Sequence, residues 1–297
     1  MTAAAPFGRV LTAMVTPFTA DGALDLDRAA SLAAELVDLG NDGLVVSGTT
    51  GESPTTTDAE KTDLIRAVVD AVGDRAHVVA GVGTYDTRHT VEAAQAAEKA
   101  GANGLLVVSP YYSRPPQEGL LAHFRTVADA TDLPVMLYDI PVRTAVALAH
   151  ETLLRLAEHP RIVANKDAKA DLFAAQRVMA EADLAYYSGD DALNLPLLAC
   201  GAVGVVSVTG HLVADRHRAL VDALDAGDLV RAREINDSAI PVTVGIMTRT
   251  QGAIMVKAAL ALLGRPVGGV RLPLVDATDE QRAVLAEDLA AGGVVPA

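Results

Sequence analysis

The sequence predicts a TIM barrel, a (β/α)8 fold in which eight parallel strands alternate with helices, followed by a C-terminal helical extension. Its 297 residues are 51% hydrophobic and only 3% aromatic, and small branched side chains suit a parallel sheet that is buried on both faces. Helical patterns repeatedly end at a glycine that precedes a second glycine and an apolar run. These pairs are Gly40 and Gly43, Gly101 and Gly104, and Gly201 and Gly204.

The eight predicted strands alternate with helical patterns along most of the chain. The strands start near Arg9, Gly43, His77, Gly104, Pro134, Ile162, Leu184 and Gly204. The helical patterns include residues 26–39, 59–72, 90–100, 118–130 and 151–158. An open doubly wound sheet is the alternative, but it usually has fewer strands and needs a phosphate-binding glycine loop after its first strand. No such loop follows the first strand here, so the closed barrel is favoured.

The pattern changes near residue 212, where the alternation of strands and helices stops. Residues 211–264 and 276–291 have helical patterns, with Pro241, Pro266 and Pro273 as breaks. We therefore predict a catalytic barrel over residues 1–230 and a helical subdomain over residues 231–297. The subdomain is long enough to carry contacts between subunits.

Composition excludes several classes of partner. The net charge of −14 argues against nucleic acid and against anionic membrane surfaces. The single cysteine, Cys200, excludes an intramolecular disulfide and a multi-cysteine metal site, and the scattered histidines suggest no metal. Residues 1–10 lack a signal-peptide pattern, and no apolar run approaches about 18 residues. We expect a cytoplasmic protein.

Lys166 follows a short apolar run that begins at Ile162. A lysine in that position most often extends to solvent or pairs with a neighbour such as Asp167. The alternative is a reactive amine. Holding a lysine neutral near pH 7 costs about 4 kcal/mol, which burial and nearby charge must supply. A neutral amine can attack a ketone and form a Schiff base.

Functional residues of a TIM barrel lie where its strands end. The second predicted strand ends in Thr49 and Thr50 between two glycines, and the fifth ends in Tyr138 with Arg143 shortly after. All six tyrosines fall near predicted strand ends, which predicts a polar pocket. Arg143 supplies the local cation that an acidic protein needs to hold a carboxylate. This set suits Schiff-base chemistry on a 2-oxo acid.

In this order, the motifs resemble the dihydrodipicolinate synthase / N-acetylneuraminate lyase superfamily over nearly the whole chain. The motifs are Gly48-Thr49-Thr50-Gly51-Glu52, Tyr111-Tyr112, Tyr138 with Arg143, Lys166, and Ser188-Gly189-Asp190-Asp191. The resemblance implies that pyruvate condenses with Lys166, and that Tyr138, Thr49 and Tyr112 relay protons. It also implies substrate binding by Thr50, Arg143, Gly189 and Val206.

Arg143 implies the synthase branch of this superfamily, which condenses pyruvate with L-aspartate semialdehyde in diaminopimelate and lysine biosynthesis. A pyruvate-dependent aldolase of sugar acids is the alternative, and a barrel that binds a 2-oxo acid without turnover is a third possibility. The resemblance implies no metal or organic cofactor. It further implies a homotetramer built from tight dimers, with Tyr111 and Tyr112 at the dimer interface.

Three features depart from the family pattern. Asn165 precedes the nucleophile where an apolar residue is usual, and Lys169 adds a second amine, which we predict to be solvated. The positions that match a lysine-feedback site are Pro54, Asp58, Lys61, Tyr85 and His89. Since Lys61 would repel a cationic ligand, we predict weak or absent inhibition by lysine.

Overall fold

The computed structural model describes residues 5–296 and contains a closed barrel of eight parallel strands, in which β8 pairs with β1. The strands are β1 (Val10–Ala13), β2 (Gly43–Val46), β3 (His77–Gly81), β4 (Gly104–Val108), β5 (Val135–Asp139), β6 (Ile162–Asp167), β7 (Ala185–Ser188) and β8 (Gly204–Ser207). Each begins within one residue of its predicted start. The predicted TIM barrel is therefore confirmed.

Helices surround the barrel and continue beyond its last strand. They are α1 (Leu26–Asp38), α2 (Asp58–Val72), α3 (Thr87–Lys99), α4 (Gln117–Asp129), α5 (Pro141–Thr144), α6 (His150–Ala157), α7 (Leu172–Glu181), α8 (Asn194–Ala199), α9 (Gly210–Asp225), α10 (Leu229–Met247), α11 (Gly252–Leu262) and α12 (Asp279–Ala291). Helix α3 begins earlier than the predicted residue 90, because the Asp86 side chain caps it by accepting from the backbone N–H of Arg88 at 2.9 Å.

Successive residues of each strand face opposite sides of the sheet and join two separate apolar clusters. The inner cluster fills the barrel and includes Leu11, Val45, Leu106, Met136 and Val206. The outer cluster lies between the strands and the helices and includes Val10, Leu44, Leu105, Val135 and Val205. This alternation decides which side chains can meet inside the barrel.

The C-terminal extension consists of α10, α11 and α12, and its buried residues join the outer apolar cluster of the barrel. Pro241 lies inside α10 and does not break it, contrary to the predicted break. The buried face of α10, which includes Ile235 and Val242, provides packing that offsets the cost of an internal proline. The division at residue 230 stays a prediction, and its outer limits, residues 1 and 297, lie outside the described residues. None of the helices within residues 5–296 has the length and apolar character needed to cross a membrane.

Candidate active site

Lys166 faces the interior of the barrel from β6. Strand register places it between Tyr138 of β5 and Tyr187 of β7. Its side chain is only 4% exposed, and its amine lies 4.2 Å from the centre of the Tyr138 ring. Within residues 5–296, the lysines that form ion pairs are Lys61, Lys169 and Lys257. Pairing of Lys166 with Asp167 is therefore not found, because consecutive strand residues face opposite sides of the sheet.

The pKa of Lys166 is lowered from 10.5 to about 8, chiefly because burial disfavours the charged amine. The positive charge of Arg143 lowers this pKa further, whereas the negative charge of Asp191 raises it. At pH 7 roughly one amine in ten is then neutral, against fewer than about one in a thousand for an ordinary lysine. Lys166 is thus poised as a nucleophile.

Gly189 gives the lysine side chain room to reach the site. A Cβ at this position would lie 2.8 Å from Cγ of Lys166 and 3.0 Å from its Cε. The backbone N–H of Gly189 donates to the carbonyl of Asp167 at 2.7 Å, which ties the end of β7 to β6. Any larger residue would displace the nucleophile or separate the two strands.

The threonine turn, residues 48–52, lies at the end of β2. Thr50 is buried, and the turn is fastened to the end of β1 because the Thr16 hydroxyl donates to the carbonyl of Gly51 at 2.6 Å. Neither the backbone N–H of Thr49 nor that of Thr50 donates to a protein acceptor among residues 5–296. Hydroxyls beside free N–H groups form a suitable cradle for a carboxylate.

Tyr138 and Thr49 line the same cavity at the mouth of the barrel, together with Gly48, Leu106 and Tyr111. Burial raises the pKa of the Tyr138 phenol to about 12, although the charge of Arg143 and a hydrogen bond with Thr49 lower it. The phenol is therefore protonated near neutral pH and can donate a proton. Its position beside the Lys166 amine suits proton transfer at the reacting centre.

Arg143 lies on the rim, in the four-residue helix α5 that directly follows β5. Its guanidinium is exposed, and its charge influences both Lys166 and Tyr138. The Thr144 hydroxyl donates to the carbonyls of Ile140 and Val146, at 3.1 and 3.0 Å, and so fixes this short helix. A cation held above the nucleophile can bind the carboxylate of an incoming substrate.

Comparison with known proteins identifies the family. The model of the dihydrodipicolinate synthetase family matches residues 6–292. The chain belongs to this family. It is 66% identical to 4-hydroxy-tetrahydrodipicolinate synthase 2 of Streptomyces coelicolor, over 97% of this chain and 96% of that protein. It is 68% identical to the 4-hydroxy-tetrahydrodipicolinate synthase of Acidothermus cellulolyticus, over 97% and 94%.

Solved structures of the dihydrodipicolinate synthetase family have the same fold as this chain. The dihydrodipicolinate synthase of Cyanidioschyzon merolae, solved with lysine bound, superposes with a TM-score of 0.95 at 43% identity, covering 98% of this chain and 99% of that one. The enzyme of Bacillus anthracis gives a TM-score of 0.93 at 39% identity, with coverage of 98% and 99%. The resemblance inferred from the sequence is confirmed.

The family's remaining predicted site residues occupy different surroundings. Val206 faces the barrel interior and belongs to the same inner cluster as Tyr138. Tyr112 lies apart from the cavity within a single chain: its side chain is 93% exposed and its φ is +72°. Tyr111 is half-buried and packs edge-on against Tyr85, with ring centres 5.4 Å apart. These tyrosines form an exposed aromatic edge beside the site.

The prediction that all six tyrosines gather at one polar pocket is wrong. Among the described residues, Tyr111 and Tyr138 are the tyrosines that line the cavity, and two others point away from it altogether. The Tyr187 hydroxyl donates to the carbonyl of Gly8 at 2.9 Å, at the opposite end of the barrel. Tyr186 packs in the outer cluster, beneath the helices. Proximity to a strand end does not fix the direction of a long side chain, because strand parity and ring rotation decide it.

The two unusual residues near the nucleophile lie outside the barrel interior. Asn165 is fully buried and, by strand alternation, faces away from Lys166, so it does not contribute to the cavity. The prediction of a solvated Lys169 is wrong. Its side chain is 13% exposed, and its amine lies 3.4 Å from the buried carboxylate of Asp139. Burial still raises the pKa of Asp139 to about 6, although the charge of Lys169 lowers it.

Asp191, for which the sequence predicted no individual role, raises the pKa of Lys166 through its negative charge. Its carboxylate accepts from the Ser207 hydroxyl at 2.5 Å and from the backbone N–H groups of Val208 and Thr209 at 2.9 and 2.8 Å. It therefore fixes the end of β8 and places a negative charge near Lys166. Among residues 5–296, no group of three or more histidine, cysteine or acidic side chains is arranged to bind a metal ion.

Proposed function

We propose that this chain is a 4-hydroxy-tetrahydrodipicolinate synthase, which condenses pyruvate with L-aspartate semialdehyde through an imine on Lys166. The observation that carries the proposal is the buried amine of Lys166, which has no ion-pair partner among residues 5–296 and lies against Tyr138 below the rim cation Arg143. The names of the relatives at 66% and 68% identity support the same activity.

In the first stage, the neutral Lys166 amine attacks the ketone carbon of pyruvate. The resulting carbinolamine loses water, and the iminium that forms acidifies the adjacent methyl group. Loss of a methyl proton gives an enamine. We assign the proton transfers to Tyr138, Thr49 and Tyr112. The buried, protonated phenol of Tyr138 donates to the departing hydroxyl, and the phenolate that remains accepts the methyl proton.

The pyruvate carboxylate requires donors close to Lys166. We assign this role to the Thr50 hydroxyl with the backbone N–H groups of Thr49 and Thr50, which have no protein acceptor in the described part of the chain. Gly189 leaves space beside the lysine, and Val206 forms part of the inner wall. Held in this way, pyruvate would present its ketone to the amine.

In the second stage, we assign the carboxylate of L-aspartate semialdehyde to Arg143, whose planar guanidinium suits a bidentate pair. The enamine carbon attacks the aldehyde carbon and forms the new carbon–carbon bond, the aldehyde oxygen takes up a proton from the tyrosine relay and becomes a hydroxyl, and the iminium on Lys166 re-forms. The amino group of the semialdehyde then attacks the imine carbon and displaces the Lys166 nitrogen, which closes the ring and regenerates the free amine.

This chemistry needs neither a metal nor an organic cofactor, because the protonated imine itself provides the electron sink. We therefore expect full activity after dialysis against EDTA. A loss of activity that added divalent metal restores would contradict this part of the proposal.

We infer a homotetramer built from tight dimers, in which Tyr112 enters the site of the neighbouring subunit. Its 93% exposure supports an interface at this edge, as does the exposure of Tyr85, which packs against the adjacent Tyr111. Subunit complementation tests this. Neither Lys166→Ala nor Tyr112→Ala chains should be active alone, but mixed and reassociated chains should regain activity, because one site then combines Lys166 with the partner subunit's Tyr112. No recovery would place Tyr112 in its own site.

We also infer a cytoplasmic location and weak or absent inhibition by lysine. The Lys61 amine, 3.5 Å from Asp58, would repel a cationic ligand at the matching positions, although the Cyanidioschyzon merolae enzyme was solved with lysine bound. Cell fractionation tests the location. An activity curve that falls steeply at millimolar or lower lysine would contradict the second inference.

A coupled assay tests the activity. Pyruvate and L-aspartate semialdehyde are supplied, and the product is reduced by a dihydrodipicolinate reductase while the loss of NADPH is followed. We expect a signal that disappears in Lys166→Ala. Pyruvate release from N-acetylneuraminate or 2-keto-3-deoxygluconate without a synthase signal would instead establish the sugar-acid aldolase.

A further inference from the structure

We propose that Glu52 and Lys257 form a buried clamp through which the C-terminal extension positions the threonine turn for pyruvate binding. The proposal rests on the function assigned to that turn above. It makes Glu52 and Lys257 positioning residues, since they act through Thr49 and Thr50.

The clamp joins the turn to helix α11. The Lys257 amine lies 2.7 Å from Oε1 of Glu52, and the two side chains are 3% and 1% exposed. The same amine donates to the carbonyl of Gly269 at 2.6 Å and lies 4.3 Å from the centre of the Phe18 ring. The other carboxylate oxygen of Glu52 accepts from the backbone N–H of Arg271 at 2.8 Å. Both carboxylate oxygens therefore bind groups of the extension.

The backbone of the turn explains why a glutamate at this position needs support. Glu52 has a φ of 55° and a ψ of 36°, the left-handed conformation that residues with a Cβ avoid. Glycine would adopt it freely, but glycine has no carboxylate to bind Lys257. The ion pair therefore holds Glu52 in an otherwise unfavourable conformation.

Glu52 connects directly to the proposed substrate donors. Its backbone N–H donates to the carbonyl of Thr49 at 3.2 Å, and the N–H of Ser53 donates to the carbonyl of Gly48 at 3.2 Å. On the barrel side, a Cβ on Gly51 would lie 3.1 Å from the carbonyl oxygen of Met14, so the turn cannot move inward. The clamp prevents the turn from moving outward, so breaking the ion pair would let the turn relax away from the cavity.

The test uses two isosteric changes, Glu52→Gln and Lys257→Met, alone and combined. Each single change leaves a buried charge unpaired, whereas the double variant removes both charges. We expect the KM for pyruvate to rise at least about tenfold in all three variants, while the KM for L-aspartate semialdehyde stays within about twofold. Lys257→Arg, which keeps the positive charge, should recover part of the loss.

Glu35→Gln provides the matched control. Glu35 also ties the extension to the barrel, since its carboxylate lies 3.8 Å from the guanidinium of Arg265 and 2.7 Å from that of Arg28, but it lies on α1 and outside the turn. This variant should lose stability without a change in the KM for pyruvate. Circular dichroism shows whether each variant is folded. If the double variant does not fold, Glu52→Gln alone tests the clamp, since glutamine keeps the shape of the glutamate side chain.

Borohydride trapping of the pyruvate imine separates the two proposals, because it needs no semialdehyde. If the wild-type chain traps no pyruvate, the proposed function fails. If it traps pyruvate and folded Glu52→Gln traps it at the same rate and with the same concentration dependence, the clamp is overturned. An equal rise in the KM values of both substrates would also overturn it, because that result indicates general loosening of the barrel.

Discussion

Burial removes water from the amine of Lys166, and within residues 5–296 no carboxylate forms an ion pair with this amine to compensate for the lost hydration. Lys257 is equally buried, but it has Glu52 as a partner at 2.7 Å. Both lysines stand in apolar segments of the sequence. A lysine in an apolar run therefore signals a costly amine, and only its surroundings decide whether that amine reacts or stabilises.

Lys166→Met should abolish turnover and leave stability unchanged or raised. The folded-state pKa of about 8 lies below the ordinary 10.5, so the unfolded chain binds more protons between these values and wild-type stability rises with pH across that window. Below pH 8 the full penalty applies, and its removal stabilises the variant by up to about 3 kcal/mol. Urea unfolding at pH 7 measures this. A loss of stability above about 2 kcal/mol would contradict the assignment.

Arg143→Ala should separate the two substrates. We expect the KM for L-aspartate semialdehyde to rise about 100-fold, because the bidentate carboxylate partner is lost. The rate of imine formation with pyruvate should fall much less. Since the charge of Arg143 lowers the pKa of Lys166, the rise of imine formation with pH should move to higher pH in the variant. Steady-state kinetics and borohydride trapping provide the two readouts, and equal losses with both substrates would disprove the role.

Gly189→Ala should impair imine formation without unfolding the barrel. The added methyl would lie 2.8 Å from Cγ of Lys166, so the lysine side chain must shift, and a displacement of this size reduces the rate by at least about tenfold. Gly201→Ala is a stability control, because that glycine lies outside the site and has a φ of +112°. A Gly189→Ala chain with normal trapping rates would show that the lysine has more freedom than the structure indicates.

At the scale of the elements, strand periodicity explains why the barrel could be predicted and why some of its polar contacts could not. Apolar runs such as residues 104–108 predict a strand from the local sequence alone. The partner of Lys169 is Asp139 on a neighbouring strand, at 3.4 Å, and no local pattern connects the two positions. The hydroxyl of Tyr187 likewise donates a hydrogen bond to the carbonyl of Gly8, which is distant in sequence.

The Lys169–Asp139 pair joins the segment after β6 to the end of β5, and Lys169→Met should destabilise the protein by about 3 kcal/mol at pH 8. The pKa of Asp139 is raised to about 6, so the folded chain binds more protons between its ordinary value and 6. Protonation at pH 5 therefore relieves the unpaired charge, and the deficit should shrink there. Denaturation at both pH values, with Lys169→Arg as the control, measures it. A deficit that is the same at pH 5 and pH 8 would contradict the account.

At the scale of the whole molecule, a chain with a net charge of −14 places the cation Arg143 at the rim of the barrel, near the amine of Lys166. The order of the motifs along the chain predicted the family and the strand ends at which the candidate site residues lie, because strand ends converge in a barrel. The clamp between Glu52 and Lys257 could not be predicted, because it joins the second loop of the barrel to an extension far away in sequence. Only the closed fold brings these segments together.

The most direct test of the account is borohydride trapping of pyruvate on the wild-type chain between pH 6 and pH 9, with the modified residue identified by mass spectrometry. We predict one modified lysine, Lys166, and a trapping rate that rises with pH and levels off above a midpoint near 8. Modification of another lysine, or a trapping rate independent of pH, would contradict the central claim that a buried, partly neutral Lys166 performs the chemistry.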